Sequence, residues 1–217
     1  MIFGKIEYLN LLPFHVFMKR FTKDSSSKMG MHYKQGVPAY VNQKFISRRV
    51  DAAFISSIKA RKYNHVPLGI VAKKEVLSVL VIPNTPPLDD TESATSNMLA
   101  KVLDIKGEVL IGDKALRYYL TGAKHIDLAK VWHVRYKLPF VFALLCYHKD
   151  KKIYQKISQQ FLQKKIKIPQ YILKEAAKRT SIAPSDILHY LNYISYKVDA
   201  KSQLSLKKFY KSVDKLK

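Results

Sequence analysis

Cysteine is almost absent from this chain of 217 residues. Cys146 stands alone, so no internal disulfide can form and a zinc site of clustered thiolates is excluded. Its surroundings, FVFALLCYH, are apolar and predict a buried, inert thiol. Long apolar runs are missing too: none reaches the roughly 20 residues that a membrane helix needs. The opening MIFGKIEYLN has neither a basic leader nor a small-residue cleavage site, so a soluble, unexported, cytoplasmic protein with no membrane partner is expected. The familiar catalytic signatures are absent as well. There is no GxxxxGK phosphate loop, GxGxxG, HExxH, GxSxG elbow or CxxC, which sets aside most nucleotide, metal and serine-nucleophile chemistries.

Acidic residues are scarce. Asp and Glu number 16 against 39 Lys and Arg, a net charge of +23, and so basic a chain can hold nucleic acid through phosphate contacts. The lysines recur along the whole chain, however, densest after Asp150 in KDKK, QKKIK and KKFYKS, at positions that read as solvent faces of amphipathic helices. A solvated basic surface is expected, one that weakly steers small anions. LKEAAKRTSIAPSDILHYL has the helix, turn, helix look of a DNA reader. Its turn lacks the usual Gly, and Ile187, Leu188 and Leu191 read as packing residues. No nucleic-acid partner is expected.

What is present is 47% hydrophobic residues, enough for a substantial core. GKIEYLN reads as a strand, and Phe14, Phe17, Met18 and Phe21 follow Pro13 at helical spacing. TKDSSSKMG reads as a loop, YVNQKFISRR as a helix, DAAFISS as a buried strand and KARKYN as the continuation of another helix. LGIVAKKEVLSVLVIPN supplies β-rich material, and NTPPLDD reads as the crossing into a second lobe. There Thr95 or Ser96 is the expected cap of a helix carrying Met98, Leu99, Val102 and Leu103 on one face. EVLIGD reads as a strand, KALRYYL as a helix, and FVFALLCYH as a central strand returning to the first lobe. From Lys151 the chain reads as helical to its end, with apolar stripes at Ile153, Ile157 and Phe161 and at Leu206, Phe209 and Val213.

Alternating strands and helices predict an α/β fold with a largely parallel sheet and a ligand cleft between two lobes. The expected division is residues 1–82 and 139–217 for the first lobe and 83–138 for the second. Asn10, Ser56, Ser57, Thr95, Ser96 and Asp113 all fall where a strand gives way to a helix, the edge at which open α/β sheets bind ligands. The same residue types are also favoured helix caps. A carboxylate such as Asp113 beside an anion site would repel the ligand unless it paired with a cation or bonded to a hydroxyl.

In chain order, GKIEYLNLLPF, RRVDAAFISSIKARKY, SVLVIPN, SATSNMLAKVL, LIGDKAL and DLAKVWHVRYKLPFVFALL resemble the successive motifs of the menaquinone-pathway chorismate dehydratases. The helical tail ending SDILHYLNYISY is similar too. The resemblance implies a two-lobed fold like that of type II periplasmic solute-binding proteins, with a helical C-terminal region and without the export signal. It implies a lyase that needs no cofactor and no metal. Chorismate, a small dicarboxylate, would lose the hydrogen on the carbon bearing the enolpyruvyl ether and the hydroxyl on its neighbour. The products are 3-[(1-carboxyvinyl)oxy]benzoate and water. By the same resemblance Asn10 is the catalytic residue. Ser56, Ser57, Ser78, Thr95 and Ser96 hold the two carboxylates, and Asp113 either accepts from the departing hydroxyl or caps KALRYYL. Between SATSNMLAKVLDI and EVLIGD the chain has almost nothing where the family usually carries a further strand and helix, so a trimmed second lobe is expected. Two alternatives share most of these features: the pathway's related later enzyme, acting on a dehypoxanthine futalosine intermediate, and a non-catalytic binder of small anions. A homodimer is compatible with the sequence.

Overall fold

The structure is a computed structural model that describes residues 1–24 and 32–216. The chain opens with β1 (Ile2–Ile6), a 3-10 turn (Leu9–Leu11) and α1 (Leu12–Asp24), followed by β2 (His32–Gly36) and α2 (Pro38–Ile46). Pro38 starts α2 because its fixed φ suits the first helical turn and its missing N–H would have no partner there. Next come β3 (Ala52–Ser56), the single-turn α3 (Ser57–Ala60) and β4 (His65–Ala72). A second group comprises β5 (Val79–Ile82), α4 (Ala94–Leu103), β6 (Glu108–Ile111), α5 (Gly112–Leu120), β7 (Ile126–Asp127) and α6 (Leu128–Tyr136). The chain then returns through β8 (Phe140–Tyr147) to α7 (Lys151–Gln163), α8 (Gln170–Thr180), α9 (Pro184–Leu191), β9 (Ile194–Lys197) and α10 (Ala200–Asp214).

Two sheets result. The larger has the order β2-β1-β3-β8-β4-β9, and the smaller is β6-β5-β7. β3 is buried at every position and lies between β1 and β8, as its unbroken apolar run demands. β8 carries the expected return, since Phe140–Tyr147 pairs with both β3 and β4 in the middle of the larger sheet. The core beneath it joins Phe14, Phe54 and Phe161, whose rings meet edge to face, with centroids 4.9 and 5.3 Å from that of Phe14. Cys146 is fully buried there, and burial pushes its thiol well up, as an inert thiol requires.

Several expectations are corrected. The larger sheet is mixed rather than largely parallel: β1 runs parallel to β2 and β3, but β8 runs antiparallel to β3 and β4, and β9 antiparallel to β4. A strand that returns from the second sheet enters against the direction of its neighbours, which a pattern of alternating strands and helices does not reveal. The smaller sheet already includes Val79–Ile82, which the sequence reading placed in the first lobe. The region after Lys151 is not wholly helical, because Ile194–Lys197 adds an edge strand on β4. A four-residue strand between helices leaves too short a pattern to read. Leu188 is largely exposed, and α9 instead buries Ile187 and Tyr190. The stripe of Leu206, Phe209 and Val213 is buried as expected. Of the expected loop TKDSSSKMG, residues 22–24 end α1 and residues 25–30 lie outside the described residues.

Candidate functional site

A cavity with about 600 Å³ of empty space, part of it open to solvent, lies between the two sheets. From the larger sheet and its loops come Ile6, Tyr8, Asn10, Phe54, Ser56 and Phe142. Ser78, Val79, Ser93, Ser96, Ile111 and Gly112 face them from the smaller one. The walls are therefore apolar, with a few hydroxyls and one amide set among them. That composition suits a flat apolar ring bearing polar substituents.

Asn10 stands in the 3-10 turn between β1 and α1 and lines the cavity. Its Oδ1 is buried and has no hydrogen-bond partner. Its backbone carbonyl accepts from the Tyr196 hydroxyl at 2.6 Å, and its side chain also reaches the Tyr190 phenol. An unpaired buried acceptor costs free energy, of order 1–3 kcal/mol, unless a ligand supplies the missing donor.

Ser56 ends β3. Its Oγ accepts from Asn42 Nδ2 at 3.2 Å, while its own N–H donates to Asn42 Oδ1 at 3.2 Å. Asn42 is almost fully buried on α2; held this way, the Ser56 hydroxyl keeps its proton free for a guest in the cavity. Ser78 lies just before β5 and pairs with the Tyr190 hydroxyl at 2.8 Å. Burial pushes the Tyr190 phenol up, so it remains a donor at neutral pH.

The first turn of α4 departs from expectation. Ser93, not Thr95 or Ser96, is the cap: its Oγ accepts from the Ser96 N–H at 3.1 Å and donates to Ser96 Oγ at 2.8 Å. Both Ser93 and Ser96 line the cavity. Thr95 and Ser57 are fully buried but do not line it. Their hydroxyls lie 3.4 Å apart, and Thr95 Oγ1 accepts from the Ile58 N–H at 3.2 Å, which ties α4 to α3 across the two sheets. Asn10, Ser56, Ser78 and Ser96 thus converge on the cavity, with Ser57 and Thr95 in the layer behind.

Asp113 also lies outside the cavity wall. It neither caps α5, whose cap position is Ile111, nor faces the empty space; it accepts from the Leu9 N–H at 3.0 Å and pairs with Arg179 Nη1 at 3.2 Å. Burial pushes its carboxyl above the ordinary range, against the opposing pull of the Leu9 N–H and the Arg179 guanidinium. The cation foreseen as a condition for a carboxylate in this place is Arg179.

Tyr8, Ser93, Tyr190 and Tyr196 escaped the sequence reading. Tyr8 opens the YLN motif, two residues before Asn10. Its hydroxyl donates to Glu92, joining the loop after β1 to the approach to α4, and burial followed by the Glu92 bond pushes its phenol far up. The ring lies against Gly112, whose φ is +63°. A Cβ there would fall 2.5 Å from Tyr8 Cζ, so the position needs glycine both for its backbone and for the ring's approach.

The family described as Menaquinone biosynthesis matches residues 1–107 and, in an overlapping second segment, 94–215. A chorismate dehydratase of Campylobacter jejuni (strain 81-176) is 47% identical over 216 residues, covering 98% of this chain and 97% of the relative. A chorismate dehydratase of Thermus thermophilus is 23% identical over 261 aligned positions, 96% of this chain and 93% of the relative. That span exceeds the 217 residues here, so the Thermus relative carries segments this chain lacks. Among solved structures, a protein of Archaeoglobus fulgidus superposes with a TM-score of 0.73 at 14% identity, covering 99% of this chain and 97% of the other. The periplasmic aliphatic sulphonate-binding protein of Escherichia coli gives 0.60 at 13%, covering 100% and 87%. These two likenesses bear on the fold, a two-lobed α/β architecture of the periplasmic-binding-protein type.

Proposed function

The chain belongs to the menaquinone biosynthesis family, and from that premise we propose that it is a chorismate dehydratase acting in the cytoplasm, a carbon–oxygen lyase. The observation that carries this reading is the buried, unpaired Oδ1 of Asn10 in a cavity whose polar groups are hydroxyls and whose walls are apolar. Chorismate has the matching parts: a ring for the walls, two carboxylates for hydroxyl donors, and a hydroxyl that can satisfy Asn10.

The chemistry requires little more than orientation. The C–H bond on the carbon bearing the enolpyruvyl ether breaks, its electron pair forms the new ring double bond, and the neighbouring C–O bond releases hydroxide. Taking up the proton, the hydroxide leaves as water, and aromatisation draws the reaction forward. An amide is not a useful base at neutral pH, so Asn10 does not take the proton itself. The substrate's enolpyruvyl carboxylate takes it first and passes it to the departing hydroxide, with Asn10 Nδ2 donating to that carboxylate and stabilising the charge that develops nearby. Ser56, Ser78 and Ser96 donate to the carboxylates; Ser93, whose proton goes to Ser96 Oγ, orients that hydroxyl from the cap of α4. Ser57 and Thr95 act from behind, by fixing α4, which carries Ser96, against α3, which directly follows Ser56. The work is to favour this elimination over loss of pyruvate or rearrangement.

The experiment is incubation of the purified protein with chorismate, followed by ultraviolet absorption and mass spectrometry of the product. A benzoate-type spectrum and loss of one water from the substrate are expected. Unchanged chorismate that nonetheless binds would favour the anion-binder reading. Salt-dependent DNA binding without turnover would favour the nucleic-acid reading.

Gly112→Ala gives a second check on the cavity. The new methyl group must displace the Tyr8 ring, and φ of +63° strains any Cβ-bearing residue. The expected outcome is a KM for chorismate raised about tenfold, equivalent to about 1.4 kcal/mol. Steady-state kinetics would read it, and an unchanged KM would detach Tyr8 from the site.

A further inference from the structure

Three residues remote in sequence hold the short turn that carries Asn10. On its N–H side, Asp113 Oδ1 accepts from Leu9 at 3.0 Å. On its C=O side, the Tyr196 hydroxyl donates to Asn10 at 2.6 Å, and the Tyr190 phenol meets the Asn10 side chain. Inside the turn, the Leu11 N–H donates to the Tyr8 carbonyl at 3.0 Å. The Leu9 N–H is one of the orphan donors at the start of a helical turn, and among the described residues Asp113 is its acceptor.

Asp113 reaches Leu9 from α5, beside the smaller sheet, whereas the turn follows β1 of the larger one. Its second oxygen faces Arg179 at the end of α8. The carboxylate is thereby compensated, which matters beside a site for a dianion. It is also nearly fully buried and does not line the cavity.

We propose that Asp113 is a positioning residue for the dehydration, holding the Asn10 amide at its working position through the Leu9 N–H, with Arg179 neutralising it, rather than a residue that touches the substrate. This rests on the chorismate dehydratase reading above. A turn tied to both sheets keeps the amide in register with the serines of the opposite wall. Loosening it displaces the amide from the reacting centre but leaves in place the serine donors that bind both carboxylates, so the loss falls mainly on kcat rather than KM.

The test compares Asp113→Ala and Asp113→Asn in the full chain by steady-state kinetics on chorismate and by hydrogen exchange at the Leu9 amide. Asp113→Ala should lower kcat on the order of 10²-fold, as expected for misplacement by about 1 Å, with KM nearly unchanged and Leu9 exchanging faster. Asp113→Asn retains an oxygen for the Leu9 N–H, and should recover kcat to within about fivefold of the parent, since only the charge-assisted part of the bond is lost. Should Asp113→Ala not fold, Asp113→Ser takes its place, being polar but too short to reach Leu9. The proposal is overturned if the Asn variant is as slow as the Ala variant, if KM rises while kcat holds, or if Leu9 exchange is unchanged. A parent that does not turn over chorismate would defeat the functional reading instead. Leu9 exchange in Asp113→Ala would still decide whether the clamp exists.

Discussion

Asn10→Ala should lower kcat for chorismate by about 10²–10³-fold, the loss typical when one preorganised group aimed at developing charge is removed. Thermal stability should hold, the removal of an unmet acceptor offsetting the lost contact to the Tyr190 phenol. In the unliganded protein Asn10 Oδ1 is buried without a partner, and truncation removes that unmet acceptor together with its desolvation cost. The backbone carbonyl that receives the Tyr196 hydroxyl is untouched by the change. A well-folded protein that is as stable as its parent and nearly inactive is the pattern of a site maintained against stability. If the variant instead aromatises chorismate near the parental rate, Asn10 has no part in the chemistry. If it loses activity only through unfolding, the residue is structural. Circular dichroism melting beside steady-state kinetics separates the three outcomes.

Trp132→Ala should be the costliest single truncation of the return crossing between the sheets. Trp132 lies fully buried on α6, with ring centroids 4.4 Å from Tyr136, 5.2 Å from Phe140 and 6.0 Å from Phe209. Its indole Nε1 donates to Ser205 Oγ at 3.0 Å. Truncation loses the transfer free energy of the ring, opens a cavity among aromatic neighbours and leaves the Ser205 hydroxyl buried without its donor. The expected loss is about 3–5 kcal/mol, and a fall in Tm of roughly 10 °C for a chain of this size. Trp132→Phe preserves most of the ring contact and should recover over half of that. Denaturant unfolding measures both, and a loss below about 1 kcal/mol for the alanine variant would mean that α6 is not anchored by this ring.

Phe140 begins the strand that returns through the larger sheet, so this cluster also bears on function. A loosened α6 moves the smaller sheet, and with it Ser78, relative to Ser56 and Asn10 on the other wall. Activity in Trp132→Ala should therefore decline before global unfolding, at temperatures where Trp132→Phe remains active.

Local chemistry made part of this readable from residues alone. DAAFISS is continuous and apolar, long enough for a strand and too short for most helices, and its two serines mark the end of β3 at the cavity edge. Asn10 and Ser96 stand at β–α junctions, and Ser78 in the SVLVIPN motif, so several of the polar groups at the cavity carried a local signal, while its apolar wall did not. The apolar spacing of Leu206, Phe209 and Val213 sufficed to orient α10. In each case the information sits within a few residues.

Other features depend on pairings across more than a hundred residues, which no local pattern encodes. Thr95 and Ser57 have the same residue types at the same kind of junction as Ser96 and Ser56. Only the fold turns them toward each other instead of into the cavity. Asp113 reads equally as a cap or a ligand contact, until α5 is seen to meet Leu9 and Arg179. Tyr190 lies within, and Tyr196 just after, the stretch that reads as helix, turn, helix, yet both close the far side of the Asn10 turn. The sequence by itself determined the α/β class, the order of motifs that points to the family, and most of the polar groups available to a ligand. Tertiary structure alone decided which of those groups face the guest and which brace the ones that do, because a hydroxyl or carboxylate takes its role from its partners, and those partners come from distant strands and helices.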